Sequence, residues 1–97
     1  MSVQLYINAT WIPEQERMVV SLKFKEQTYL ERFTREEWMM FIDNLDHAPL
    51  KIGGLNLVMK GNKAIGEQAT EGIKNYLRAV DYAFQRTGST DFLKGEI

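Results

Sequence analysis

An α+β fold is predicted by three features of the chain. Its first third alternates apolar and polar residues through three short runs, the mark of half-buried strands. A signposted helix start stands at Thr34, and a longer apolar stripe at helical spacing occupies residues 64–86. One further alternating run lies between them. The predicted order is therefore β-β-β-α-β-α, a mainly antiparallel sheet with two helices packed on one face. With 97 residues the chain is expected to form a single domain, 1–97, ending in a short tail at 89–97.

The first run sets Val3, Leu5, Ile7 and Ala9 against Gln4, Tyr6, Asn8 and Thr10. Trp11 and Ile12 prolong it until Pro13, which biases Ile12 toward extended backbone. The polar stretch Pro13-Glu14-Gln15-Glu16-Arg17 suits a hairpin loop. Met18, Val20, Leu22 and Phe24 then alternate with Val19, Ser21, Lys23 and Lys25. Lys25-Glu26-Gln27 is expected to turn the chain, although it lacks the usual glycine. In residues 28–33, Tyr29, Glu31 and Phe33 share one face and Thr28, Leu30 and Arg32 the other. Three strands with tight connections imply an antiparallel meander.

Thr34 and Glu37 have the spacing of a capping box, and Phe33 and Trp38 that of a hydrophobic staple. Trp38, Phe41, Ile42 and Leu45 form the apolar face of this helix, which should end by Ala48 because Pro49 follows. Leu55, Leu57 and Met59 suggest a fourth strand. Gly53-Gly54 is either a two-residue turn joining residues 50–52 to it or a plain loop. In the last helix Ala69, Ile73, Tyr76, Leu77, Val80, Ala83 and Phe84 lie along one face, with Gly88 at the C′ position. Gly66 and Gly72 weaken its first half. Close approach of other backbone, or a later helix start, would account for them.

Composition removes several chemistries. No cysteine and a single histidine exclude disulfides, thiolate catalysis and Cys- or multi-His metal centres. Twelve basic against thirteen acidic residues leave no surplus of cations, which disfavours nucleic acid as a direct ligand. No run approaches the ~20 apolar residues of a membrane span, and the start lacks the pattern of a signal peptide. A soluble, cytoplasmic protein is the expectation.

Two motifs fall short of a site. Gly61-Asn62-Lys63-Ala64-Ile65-Gly66 has the glycine spacing of a phosphate loop, but Glu67 and Gln68 stand where Lys and Ser or Thr are needed. Asp43, Asp46 and His47 could share a proton or a metal at helical spacing, yet no second element supplies a further ligand. No catalytic residue, metal or cofactor is expected, and the chain is not read as an enzyme.

What remains is surface. Met39 falls about 100° and Met40 about 200° around the first helix from Trp38, and Tyr82 falls opposite the apolar stripe of the last. The expected function is a small non-catalytic module that binds another protein through Met39, Met40, Tyr82 and the tail residues Phe92 and Leu93. By analogy of size and composition with accessory proteins of bacteriophages and other mobile elements, the expected partner is a host enzyme or complex that is inhibited or redirected. One alternative is a nucleic-acid-associated domain with Tyr6, Trp11, Lys23 and Lys25 on the open face of the sheet. Another is a self-associating structural subunit joined at a strand edge or through the Phe92-Leu93 tail.

Overall fold

A computed structural model describes residues 5–47, 50–56 and 67–90. The fold is α+β. Strands β1 (Leu5–Ile12), β2 (Arg17–Phe24) and β3 (Gln27–Phe33) form the antiparallel meander in the order β1-β2-β3. The loop between β1 and β2 is held by bonds from the Gln15 N–H to the Ile12 carbonyl (3.1 Å) and from the Glu16 N–H to the Pro13 carbonyl (3.3 Å). Lys25 and Glu26 alone make the next turn, with φ of 51° and 65°. Lys25 therefore lies in the turn and not on β2, because Phe24 already pairs with Gln27 and the chain must reverse at once.

Ala9, Trp11, Met18, Val20, Leu22 and Phe24 are buried on the inner face of the sheet. The expectation that Trp11 joins Tyr6 on the open face is wrong. An odd number of positions separates the two, so a period of two places them on opposite faces. Trp11 is 7% exposed, and its ring lies 4.8 Å from that of Phe84.

Helix α1 (Arg35–Asp43) starts as its sequence specifies. The Thr34 N–H donates to Glu37 Oε1 (2.8 Å), and the Glu37 N–H donates to Thr34 Oγ1 (3.1 Å). Phe33 and Trp38 meet edge to face at 5.9 Å, closing the staple. Trp38 is fully buried, and Leu45 reaches the core from the turn that follows the helix.

Gly53 and Gly54 do turn a hairpin, between β4 (Lys51–Ile52) and β5 (Leu55–Asn56). Their φ values, 56° and 89°, are those that a two-residue type I′ turn requires. A Cβ on Gly53 would fall 2.8 Å from the Leu30 nitrogen, so the hairpin sits directly against the backbone of β3. The remainder of the expected fourth strand, and the glycines at 61 and 66, lie outside the described residues.

Helix α2 (Glu67–Thr87) buries Ile73, Leu77, Val80, Ala83 and Phe84. Gly88 closes it with φ 72° and an N–H bond to the Phe84 carbonyl (2.7 Å). Gly72 does not mark a close approach among the described residues: a Cβ there would meet none of them within 4 Å. Both helices cover the inner face, α2 beside β1 and α1 over β2 and β3. The Trp38 indole N–H donates to Asp81 Oδ1 (2.9 Å), and the Arg35 guanidinium rests on the rings of Trp11 and Phe84.

Candidate interaction surfaces

The first surface is formed by the outward sides of the helices. At 3.6 residues per turn Met39 stands about 100° and Met40 about 200° around α1 from the buried Trp38. The two methionines are 49% and 64% exposed, and Tyr82 on α2 is 65% exposed. Met39 follows Trp38 in the chain and Tyr82 follows Asp81, so both flank the Trp38–Asp81 bond that joins the helices. Glu36 and Asp43, both exposed, sit three or four residues from each methionine and frame them with negative charge. Arg35, the cation of α1, is turned onto aromatic rings instead. Arg86 steadies Tyr82, donating to its hydroxyl (3.1 Å) with the guanidinium 5.2 Å from the ring centre. Phe92 and Leu93 lie outside the described residues.

The carboxylates beside this surface have structural partners. Asp46 accepts from Arg78 Nη2 at 2.6 Å and lies 3.9 Å from Lys74 Nζ, tying the end of α1 to α2. The Arg78 hydrogen bond, chiefly, and then the charges of Arg78 and Lys74 hold its carboxyl below the usual range. Glu37 is lowered likewise by the hydrogen bonds of its capping box. Among the described residues no three His, Asp or Glu side chains converge to hold a metal ion.

The second surface is the open face of the sheet. Its cross-strand rows are Tyr6, Lys23 and Thr28; Asn8, Ser21 and Leu30; Thr10, Val19 and Arg32; Ile12 and Arg17. These rows contain three cations and no carboxylate. Tyr6 is 62% and Leu30 47% exposed. Beyond the first row lies a concavity of about 430 Å³ lined by Tyr6, Lys23, Lys25 and Glu26. The structure thus brings together three of the four residues expected of a nucleic-acid face and removes Trp11. Arg17 and Arg32, absent from that expectation, belong to the face by the same period of two that assigns Lys23. Arg17, at the far end, bonds the Glu16 carbonyl (3.0 Å) and helps to lower Glu37.

The strand edges differ. On β1 the Ala9 N–H donates to the Tyr76 hydroxyl and the Trp11 N–H to Thr90 Oγ1, each at 3.0 Å. These bonds occupy two of the donors that a second copy would need for pairing at that edge. Neither hydroxyl carried a signal in the sequence, since a tyrosine on an apolar helical stripe and a threonine after a helix are ordinary there.

Fold and surfaces together define a small two-layer α+β domain with a helical face and an open sheet face. Comparison with protein-family models, with characterised proteins and with solved structures finds no match to this chain. No described helix is long and apolar enough to cross a membrane.

Proposed function

We propose that the protein is a non-catalytic interaction module that binds a partner protein through the outer faces of α1 and α2. The observation that carries this reading is the exposure of Met39, Met40 and Tyr82, long side chains that contribute little to the core from where they stand. Methionine repacks against irregular surfaces, and tyrosine offers a ring with a polar tip, so both types recur at protein interfaces. The carboxylates of Glu36 and Asp43 around the methionines favour a partner with a basic rim and an apolar centre. A host enzyme or complex engaged by a mobile-element accessory protein is the setting that the size and composition of the chain suggest.

Affinity capture with the folded protein as bait, read by mass spectrometry, tests this. One dominant captured protein is expected, and Met40→Glu should abolish its recovery while leaving the unfolding midpoint nearly unchanged. Thr34→Ala should do the reverse, lowering stability by about 1 kcal/mol with capture intact. Capture that survives both Met40→Glu and Tyr82→Ala would refute the assignment of this surface.

A further inference from the structure

We infer that the concavity beside the β2–β3 turn holds a nucleotide unit of a single-stranded nucleic acid. Tyr6 would stack a base, Lys23 and Lys25 would hold the adjoining phosphates, and Glu26 would accept from an amino group on the base edge. The site stands apart from the helical surface and does not depend on it.

Three observations carry it. First, Tyr6 is 62% exposed, pairs in register with Lys23, and lines a concavity of about 430 Å³ with Glu26 and Lys25, whose exposed ammonium lies 5.3 Å from the Phe24 ring centre and would leave it for a phosphate. A ring with a cation beside it is the unit on which sequence-tolerant base stacking is built. Second, the turn is made by two charged residues in left-handed backbone, where Asn-Gly or Asp-Gly would be strongly favoured. Strained backbone of this kind collects at binding sites, and here it sets a lysine and a glutamate on the rim of the concavity. Third, the charges are sorted. The described rows of the open face hold no carboxylate, and Glu26 is the single acid among the described lining residues. Arg32 faces Val19, four residues along β2 from Lys23, or about 13 Å at the usual strand rise. A strand leaving the concavity across the sheet therefore meets a second cation.

The balanced total charge fits this ligand better than a duplex. A duplex rewards many phosphate contacts and hides the base faces, whereas a short single strand needs few cations and offers rings to stack. Glutamate accepts from the cytosine amino group, which makes oligodeoxycytidylate the probe of choice.

The test is fluorescence anisotropy of a labelled oligodeoxycytidylate of about ten nucleotides, titrated with the full chain at about 50 mM salt and above. Binding that weakens with salt is expected. Tyr6→Ala should weaken it about five- to 100-fold, and Lys23→Gln and Lys25→Gln should each reduce the log–log salt slope by about 0.7. Lys51→Gln, which removes a charge from β4, should change neither. Circular dichroism establishes that each variant is folded. The inference fails if folded protein binds no oligonucleotide, if Tyr6→Ala binds as well as the parent, or if poly-glutamate competes as effectively as the oligonucleotide. It fails equally if a duplex of the same length binds as tightly, or if free cytidine monophosphate binds where the strand does not.

Discussion

Two hydroxyl groups bond the outer edge of β1 at Ala9 and Trp11, and their burial differs. Thr90 is 2% exposed, whereas Tyr76 is half-buried. An orphaned N–H in the interior bears its full desolvation penalty, while one near water is partly rehydrated. Thr90→Val should therefore cost about 1–3 kcal/mol and Tyr76→Phe about 1 kcal/mol, measured by urea denaturation. Equal losses would show that the Trp11 N–H is wetter than its neighbours imply. The titration of Glu37 provides a second test. Its folded pKa lies below its ordinary 4.5, so its contribution to stability is present above that pH and is lost as pH falls through the lower folded value. Glu37→Gln keeps the capping hydrogen bonds but does not titrate. Stability should consequently fall less steeply as the pH drops below 4.5 in the variant than in the parent. Identical slopes would assign the acid sensitivity to other carboxylates, with Asp46 the next candidate for the same reason.

The glycines and turns act on whole elements. Gly72 lies within α2 with open space where its Cβ would be, so Gly72→Ala should stabilise the helix by about 1 kcal/mol. Gly53→Ala should instead destabilise the domain by about 1–3 kcal/mol. It places a Cβ against the Leu30 backbone and demands a left-handed φ. Thermal unfolding of the two variants should move in opposite directions. The turn between β2 and β3 couples stability to binding. Replacing Lys25-Glu26 with Asn-Gly should raise the unfolding midpoint, because those residues adopt the turn without strain, yet lower affinity for the oligonucleotide. A variant that gains stability and binds unchanged would detach the turn from the site. Much of this level was legible in advance: the capping box, the staple, the Gly53-Gly54 hairpin and Gly88 all stand where their residue types place them. The glycine-free turn was the weak point, and there the strand pattern ran one residue too far, onto Lys25.

Charge is balanced along the chain but sorted in space. Carboxylates frame the methionines of α1, and the open sheet presents cations without acids. The two proposed partners fall on opposite layers of one small domain, and the two proposals can be separated experimentally. Met40→Glu should leave oligonucleotide binding untouched, and Tyr6→Ala should leave protein capture untouched. Loss of both in either variant would mean one shared site.

Strand period, helix caps and tight turns depend on residues within a few positions of one another, and for that reason the sequence alone determined the α+β class and most element boundaries. Contacts between distant residues were a different matter. Trp38 with Asp81, Ala9 with Tyr76 and Trp11 with Thr90 join positions 43, 67 and 79 apart. No local pattern encodes such pairings, because each partner is an ordinary residue for its own element. Packing against Phe84 of α2 put Trp11 in the core, and the pairing of β1 with β2 next to the β2–β3 turn brought Tyr6, Lys23 and Lys25 to one concavity. Total charge could not show this, since binding responds to where charges stand and the sum responds only to their number.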